Sequence, residues 1–341
     1  MDKSLTVLIP AYNEAGSIVD TIKSIQNQTL APTEIIVIDD FSSDSTGDLA
    51  RACGVTVVRP MANTGSKAGA QNFALTQVTT EFTMAIDADT ILAPDAIEKL
   101  LAALEKDTVV AACGFVIPRY KKTLWERGRY IEYLLAFSWY KPIQEYYQKP
   151  LISSGCFSAY RTDALRAAGG WSTRTMAEDM DLTWTFYQKG HEVRFIPEAV
   201  CYPIEPHSFE FMKKQLKRWS HGFIQNVALH WKANLRISYL REIIAVALWD
   251  AVIAALVYLV VVPALALYFQ QPLYLLVYLI DLPAVAIPVF LTPHGRRNFV
   301  GVLASLPAFF VLRMVNAYFL LRAIWDEWVL RRPLLVYEKG H

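Results

Sequence analysis

The 341-residue chain carries 33 basic and 32 acidic side chains, and a formal net charge of +1 excludes a protein held to nucleic acid by a broad basic face. Hydrophobic residues make up 54% of the sequence, which excludes a disordered or collagen-like chain. The four cysteines lie far apart, so neither a disulfide-stapled fold nor a paired-cysteine metal site is expected. Only four charged residues lie between positions 243 and 312. We therefore expect a soluble domain followed by a membrane region.

Short apolar runs alternate with helical patterns through the first hundred residues. Strands are predicted at residues 5–10, 34–38, 55–58 and 82–86, and helices at residues 18–25, 66–78 and 94–104. This alternation predicts a parallel sheet covered by helices on both faces. In such sheets ligands gather at the carboxyl ends of the strands. Residues 1–4 run directly into the first strand, and we expect no signal peptide.

Acidic pairs follow two of these predicted strands. Asp39 and Asp40 end the second strand, and Asp87 and Asp89 follow the strand at residues 82–86. Two carboxylates suit a divalent cation that bridges a diphosphate, although acidic pairs also occur in ordinary turns. The glycine patterns of dinucleotide-binding and P-loop folds are absent from the sequence. A dinucleotide oxidoreductase or a P-loop ATPase is therefore not expected.

A second group of acidic residues lies at the start of a predicted helix. Residues 176–181 read M-A-E-D-M-D, just before an amphipathic stretch that continues through Tyr187. Acidic side chains stabilise helix N-termini, which gives a purely structural explanation. The functional alternative is a carboxylate base exposed at the helix start.

Gln215, Arg218 and Trp219 share one face of a basic helix predicted at residues 209–227. A guanidinium can bind a diphosphate through two hydrogen bonds, and an indole ring offers a flat apolar face to a sugar. The alternative is an amphipathic helix on the membrane surface, anchored by Trp and by long basic side chains. The aromatic-rich residues 123–147 leave a similar choice between a helix on the membrane or against the later apolar segments, and a sugar-binding groove.

Three apolar segments at residues 243–268, 273–291 and 299–321 are long enough to span a bilayer. Seven Lys and Arg residues between positions 213 and 241 precede the first segment, which places the N-terminal domain in the cytosol by the positive-inside rule. The third segment contains Arg313, and further basic residues follow it. Two topologies remain open: three full spans, or a re-entrant third segment with a cytosolic tail.

Seven motifs occur in one order along the chain: P-A-Y-N-E (10–14), Asp39-Asp40, N-x-G-x-K-A-G-A-x-N (63–72), Asp87-x-Asp89, S-G-C-F-S-A-Y-R (154–161), Glu178-Asp179-x-Asp181 and Gln215-x-x-Arg218-Trp219. Over residues 4 to about 228 this resembles the membrane-integrated family 2 glycosyltransferases, which include hyaluronan, chitin and cellulose synthases and ceramide glucosyltransferases. The resemblance implies an α/β fold of the GT-A type (Rossmann-like) over residues 1–235, with interfacial helices at 123–147 and 208–228. A transmembrane region at 240–325 and a tail at 326–341 would follow.

The resemblance also implies a role for each motif. Residues that would bind the nucleotide-sugar are Tyr12, Glu14, Asp39, Asp40, Lys67, Asp87, Gln215 and Arg218. Asp87 and Asp89 would hold Mg²⁺ or Mn²⁺, and Asp179 would be the catalytic base. Residues that would surround the acceptor are Gly155, Cys156, Glu178 and Trp219. One position departs from the family pattern, since Leu216 stands where many members have a further Arg, which leaves the donor contacts open.

The activity implied by the resemblance is inverting transfer of a sugar from a UDP-sugar to an acceptor hydroxyl by a multi-pass protein of the cell membrane, with its catalytic domain in the cytosol. Processive synthesis of a β-linked polysaccharide, with its export, is the first expectation. Three spans would make a thin channel wall unless the chains form a homo-oligomer. The alternatives are single-sugar transfer to a lipid acceptor such as a ceramide, and a non-catalytic membrane subunit that binds sugar nucleotides.

Overall fold

The computed structural model describes residues 4–336, apart from the side chain of Asp281. The chain forms two compact units. The first comprises the chain up to Arg119 together with Gln144–Ile204, and the second comprises Tyr120–Ile143 and the chain from Glu205 onward. The helices predicted at 123–147 and 208–228 therefore lie mainly in the same unit as the apolar segments. Residues 1–3 of the expected start and 337–341 of the expected tail lie outside the described residues.

The first part of the chain alternates strands and helices as the sequence predicts. The elements are β1 (Leu5–Ala11), α1 (Ile18–Gln26), β2 (Glu34–Asp39), α2 (Thr46–Ala52), β3 (Thr56–Val58), α3 (Lys67–Leu75), β4 (Phe82–Ile86), β5 (Ile91–Leu92), α4 (Ala96–Ala103) and β6 (Val109–Val116). The chain continues through α5 (Leu124–Leu135), a π-helical turn (Ala136–Tyr140) and α6 (Lys141–Tyr146), and then through β7 (Phe157–Arg161), α7 (Thr162–Ala167), α8 (Glu178–Gln188) and β8 (Glu192–Tyr202).

The eight strands form one sheet in the order β3-β2-β1-β4-β7-β6-β8-β5. The strands β3, β2, β1 and β4 are parallel, as are β6 and β8. The four predicted strands are therefore parallel, as expected. The remaining strands were not predicted from the sequence, and they make the sheet mixed: β7 runs antiparallel to both of its neighbours, and β5 runs antiparallel to β8. A helix that connects two neighbouring strands across the sheet gives parallel pairing. The connection between β6 and β7 is long and does not determine the direction of β7.

Apolar side chains on both faces explain why the central strands are buried. Val7, Leu8 and Ile9 of β1 are fully buried, and α1 covers one face of the sheet unit with a stripe that includes Ile18 and Ile22. Continuous apolar strands of this kind are typical of sheets packed on both sides. The polar side chains that follow these strands therefore lie at the strand ends, outside the apolar core.

The second unit is helical. After α5 and the π-helical turn at Ala136–Tyr140 it contains α9 (Phe209–Asn234), α10 (Leu240–Leu256), another π-helical turn (Val257–Val261), α11 (Val262–Tyr268), a 3₁₀ segment (Pro272–Leu279), α12 (Asp281–Leu291), α13 (Pro293–Arg297), α14 (Phe299–Ile324) and a third π-helical turn (Trp325–Val329). Three stretches are long and apolar enough to cross a membrane: Leu240–Tyr268, Pro272–Leu291 and Phe299–Val329. They include the three predicted segments, and the third is longer than predicted.

Helix α14 packs along α9 over much of its length. Met212 and Leu216 form a buried cluster with Leu312 and Phe319. Farther along the same helices, Ile224 packs with Leu320 and Ala323. Helix α5 also approaches α14 closely, since a Cβ added at Gly128 would lie 2.9 Å from the carbonyl oxygen of Ala308. The third apolar stretch is therefore bound to amphipathic helices of its own unit.

Candidate active site

The acidic residues meet at one edge of the sheet. Strands β1, β2 and β4 are parallel neighbours, and Ala11 at the end of β1 is in register with Asp39 at the end of β2. Asp87 directly follows β4, which pairs with β1 on its other side. The residues after these three strands, including Tyr12, Asp40 and Asp89, therefore begin at the same edge, as the sequence predicts.

Strand β7 brings a fourth segment to this edge. Because β7 is antiparallel to β4, its first residue Phe157 pairs with Ile86, the last residue of β4. The backbone N–H of Asp87 donates to the carbonyl oxygen of Cys156 at 3.3 Å. Gly155 and Cys156 therefore lie beside the Asp87-x-Asp89 motif.

The Gly155 peptide groups join Lys67 and Asp179. Lys67 Nζ donates to the Gly155 carbonyl oxygen at 2.9 Å and forms an ion pair with the Asp87 carboxylate. The Gly155 N–H donates to Asp179 Oδ2 at 2.8 Å. Asp87, Lys67 and Asp179, which lie far apart in sequence, are thus connected through one glycine.

Asp179 lies in the first turn of α8. Residue Ala177 occupies the cap position and has no side chain that could accept a hydrogen bond, while Asp179 Oδ1 accepts the N–H of Met180 at 2.9 Å. The dipole of the helix favours negative charge at this end. Glu178 and Asp179 are both half-buried, whereas Asp181 is buried and binds the Arg174 guanidinium through both carboxylate oxygens at 2.7 and 2.8 Å. Only the first two are open to solvent, and Asp181 has a structural partner.

The loop after β1 is held by the loop after β2. Asn13 adopts a positive φ of 56°, and its side-chain oxygen accepts the N–H of Ser43 at 2.9 Å. The N–H of Glu14 donates to Thr46 Oγ1 at 2.7 Å, and a Glu14 carboxylate oxygen accepts from Ser17 at 2.9 Å. Glu14 is buried, while Tyr12 is 39% exposed and can be reached by a ligand.

Asp39 and Asp40 each have partners that sequence reasoning did not identify. Asp39 is buried and accepts from Arg59 Nη1 at 2.8 Å and from the Ser42 N–H at 2.9 Å. Asp40 is also buried and accepts from the N–H and the hydroxyl of Thr64 at 2.8 and 2.9 Å. The sequence position of Arg59, directly after β3, could have indicated this contact, because β3 ends at the same edge of the sheet as β2. The carboxylate oxygens of Asp39 and Asp40 can each accept a further hydrogen bond, so these partners do not prevent contact with a nucleotide base. That contact stays a prediction.

The Asp87-x-Asp89 motif fits a cation that is shared with a ligand. Both side chains are half-buried, so each retains access to solvent. Among residues 4–336, His, Cys, Asp and Glu form no group of three or more that could hold a metal ion by itself. Mg²⁺ and Mn²⁺ prefer oxygen ligands, and Mg²⁺ is commonly held by one or two carboxylates together with phosphate oxygens and water. The donor set therefore suits a metal diphosphate rather than a free ion.

Gln215, Arg218 and Trp219 lie on α9 in the helical unit. Gln215 and Arg218 are half-buried, and Trp219 is 37% exposed. Leu216, which replaces the expected Arg, is buried in the cluster with Leu312 and Phe319. An apolar residue at this position therefore packs against α14. The contribution of these four positions to donor and acceptor binding stays a prediction.

Substitution of Gly155 by alanine is expected to reduce catalysis by displacing Asp179. A Cβ at this position would lie 2.8 Å from Asp179 Oδ2, while the φ of Gly155 lies outside the left-handed region, so alanine fits the backbone. A displacement of about 1 Å at a reacting group can lower the rate by about 10²-fold. We expect Gly155→Ala to lower the transfer rate by about 10²-fold and to leave the donor affinity, measured in a binding titration, unchanged.

The matched control for Gly155→Ala is Gly16→Ala. No atom lies within 4 Å of a Cβ built at Gly16, and its φ is also outside the left-handed region. The Gly16→Ala protein should keep the full transfer rate. A Gly155→Ala protein with the same rate as the control would show that the position of the Asp179 carboxylate does not limit the reaction.

Comparison with known families and relatives adds an independent result. Residues 6–169 match the family described as Glycosyl transferase family 2. The poly-beta-1,6-N-acetyl-D-glucosamine synthase of Staphylococcus epidermidis is 28% identical over 225 residues, and that of Staphylococcus aureus is 27% identical over 224 residues. Each alignment covers 64% of this chain and 54% of the relative. The chain thus spans about half the length of the curated relatives it matches.

A solved structure has the same kind of fold along nearly the whole chain. The mannosyltransferase PcManGT from Pyrobaculum calidifontis, in complex with GDP-Man and Mn²⁺, gives a TM-score of 0.57 at 20% identity. The match covers 95% of this chain and 87% of PcManGT. The predicted GT-A-type fold is thereby confirmed.

Proposed function

We propose that the protein transfers a sugar from a UDP-sugar to an acceptor hydroxyl with inversion, on the premise that residues 6–169 match glycosyl transferase family 2. The observation that carries the proposal is the arrangement of Asp87, Lys67 and Asp179 around Gly155. This arrangement supports the proposal, because the Asp87-x-Asp89 motif and the Asp179 carboxylate are both joined to the Gly155 segment. Asp39 and Asp40 lie at the same edge, where a nucleotide would bind.

The proposed reaction is a single displacement. Asp179 removes the proton of the acceptor hydroxyl while the hydroxyl oxygen attacks the anomeric carbon of the donor. The bond between that carbon and the UDP oxygen breaks, and UDP leaves with the electron pair. A divalent cation bound by Asp87 and Asp89 would stabilise the charge of the leaving diphosphate. Lys67 is placed beside Asp87 to add a positive charge there. Attack opposite the leaving group converts an α-linked donor into a β-linked product.

The proposed product is a β-linked polysaccharide made by repeated addition. The curated relatives from two Staphylococcus species are named as synthases of such a polymer, which supports this choice. The second candidate is transfer of one sugar to a lipid acceptor. It is favoured by the small membrane region, because residues 4–336 contain three stretches that could cross a bilayer, and three make a thin wall for a channel. A homo-oligomer would supply a thicker wall.

The experiment that tests the function uses purified full-length protein in detergent or lipid vesicles. It is incubated with radiolabelled UDP-N-acetylglucosamine, UDP-glucose, UDP-glucuronic acid and, as a comparison, GDP-mannose. The products are separated into lipid-soluble and high-mass fractions. We expect label from one UDP-sugar in the high-mass fraction. Label only in the lipid fraction would select the second candidate, and absence of transfer from every donor would overturn the proposal.

We further infer that the first unit lies on the cytosolic side and that α14 does not cross the bilayer. The basic residues of α9 favour the cytosolic side. At one end of α14, Asn298 donates to the Tyr130 hydroxyl of α5 at 3.1 Å. Beyond its other end, Glu327 is 2.7 Å from His221 Nδ1 and accepts from Gln225 Nε2 at 2.7 Å. Both ends therefore contact amphipathic helices, which supports the re-entrant alternative with a cytosolic tail.

Cysteine labelling tests this topology. All four native cysteines lie in the first unit, so a membrane-impermeant thiol reagent should not label the wild-type protein in intact cells. We expect Gln271→Cys, in the link between the first two apolar stretches, to be labelled from outside. Leu335→Cys, which is exposed in the tail, should be labelled only after the membrane is permeabilised. Equal labelling of both positions in intact cells would support three full spans.

A further inference from the structure

Helix α5 contains a charged residue that has no exposed surface. The side chain of Arg129 is 0% exposed, although it lies in a segment where neighbouring basic side chains such as Arg127 are exposed. Burial of a guanidinium is unfavourable unless acidic and polar partners replace its water. The partners that replace water around Arg129 therefore indicate its role.

The acidic partners of Arg129 come from two places in the helical unit. Glu132, one turn along α5, forms an ion pair with its Nη1 atom. Glu205, just before α9, lies 3.4 Å from its Nε atom and is itself buried. Burial alone would lower the pKa of Arg129, but the carboxylates of Glu132 and Glu205 and the nearby Tyr133 raise it, so the guanidinium stays charged. Burial raises the pKa of Glu205, and Arg129 opposes that effect.

Arg129 also lies near Met212 and Tyr133: its Nη2 atom is 3.1 Å from Met212 Sδ, and its guanidinium carbon is 5.6 Å from the centre of the Tyr133 ring. Two further partners belong to the Gln215-x-x-Arg218-Trp219 motif. Its Nη2 atom donates to Gln215 Oε1 at 2.5 Å. Its guanidinium carbon lies 4.6 Å from the centre of the Trp219 ring, which is within the range of a cation–π interaction. Gln215 and Trp219 are thus held by the same guanidinium, one by a hydrogen bond and the other by its ring face.

The guanidinium covers part of a ring that is also partly exposed. Trp219 is 37% exposed, so surrounding side chains alone do not enclose it. A planar guanidinium that is fixed by two carboxylates offers a rigid surface against which the indole can rest. Lysine at the same position would keep the charge but would lose the planar group and the fork of donors.

We propose that Arg129 is a positioning residue that holds Trp219 as the platform for the acceptor sugar and holds Gln215 beside it. The inference rests on the proposed function for the role of Trp219, but the contact itself can be measured without any activity. Glu205 keeps Arg129 in place, and the segment 123–147 contributes to acceptor binding through Arg129. The aromatic segment thereby acquires a function that its sequence alone did not specify.

The test compares three variants of full-length protein: Arg129→Lys, the double variant Arg129→Gln/Glu205→Gln, and Arg127→Gln as the exposed control on the same helix. The double variant removes one positive and one negative charge, so it leaves no uncompensated carboxylate at Glu205 and is designed to fold. Acceptor KM, transfer rate and acceptor-independent hydrolysis of the donor are measured for each. We expect about a tenfold rise in acceptor KM for the first two variants, a smaller change in donor hydrolysis because Gln215 is expected to contact the donor, and wild-type values for the control.

A spectroscopic measurement separates the contact from the activity. The protein contains nine tryptophans, which can be labelled with 5-fluorotryptophan, and the Trp219 resonance is assigned by its absence in Trp219→Phe. We expect both Arg129 variants to shift the Trp219 fluorine resonance and Arg127→Gln to leave it unchanged. An unshifted Trp219 resonance, or equal losses in acceptor use and donor hydrolysis, would overturn the proposal. A shifted resonance in a protein that transfers no sugar from any donor would instead refute the proposed function.

Discussion

Replacement of Asp179 by asparagine will abolish measurable sugar transfer and leave UDP binding intact. Asparagine has nearly the same shape and can still accept the Gly155 N–H that Asp179 Oδ2 accepts at 2.8 Å, so the local fold is retained. It cannot remove a proton from the acceptor hydroxyl, and general base catalysis contributes about 10²–10⁴-fold to the rate. The transfer rate is measured with saturating donor and acceptor, and UDP affinity is measured by calorimetry.

The control for Asp179→Asn is Asp181→Asn in the same helix. Asp181 is buried and forms two hydrogen bonds with Arg174, so its replacement should lower the free energy of unfolding by about 1–3 kcal/mol. Asp179→Asn should lower the unfolding temperature less than Asp181→Asn, because asparagine keeps one of the two backbone hydrogen bonds that Asp179 accepts. Transfer that continues at the wild-type rate in Asp179→Asn would remove Asp179 as the base. A loss of rate accompanied by the same instability as Asp181→Asn would indicate a structural role.

Removal of divalent cations will stop transfer, and Mn²⁺ or Mg²⁺ will restore it. Stabilisation of a leaving diphosphate by a metal contributes several kcal/mol, so we expect a loss of at least about 10²-fold in EDTA. Asp89→Asn should weaken Mn²⁺-dependent UDP binding, because it removes one of the two carboxylates expected to hold the ion. Mn²⁺ binding in the presence of UDP can be followed by electron paramagnetic resonance.

The matched control for the metal site is Asp107→Asn. Asp107 has a 99% exposed side chain in the first unit and pairs with Arg161, away from the Asp87-x-Asp89 motif in sequence. This variant should bind Mn²⁺ and UDP as the wild type does. Full activity in EDTA, or Mn²⁺ binding that is the same in Asp89→Asn and Asp107→Asn, would exclude a metal at Asp87 and Asp89.

The strands of the first hundred residues could be predicted because the patterns that indicate them are local in sequence. The strand predicted at residues 82–86 has the same bounds as β4, and the strand predicted at 34–38 is one residue shorter than β2. Apolar runs punctuated by turns carry this information. The direction of β7 could not be predicted, because pairing with β4 and β6 depends on contacts distant in sequence.

Part of the site was also predicted from patterns that are local in sequence. Because ligands gather at the carboxyl ends of parallel strands, the sequence alone predicts that Asp39 and Asp87 lie at one edge of the sheet. The family was predicted from the order of the motifs, and residues 6–169 match Glycosyl transferase family 2. Arg129 was missed, because a basic residue in an aromatic helix is expected to extend to solvent and only the tertiary structure shows its burial.

The antiparallel placement of β7 has a consequence for biosynthesis. Lys67 and Gly155 are 88 positions apart, so the contacts of the Gly155 peptide groups cannot form until the ribosome has passed this point. Until then the backbone groups of β4 that later pair with β7 are exposed as an open strand edge. Such an edge can pair with other nascent chains, and non-local strand pairing is slow. The interval between synthesis of β4 and synthesis of β7 is therefore a period in which the unfinished chain exposes an edge that favours aggregation.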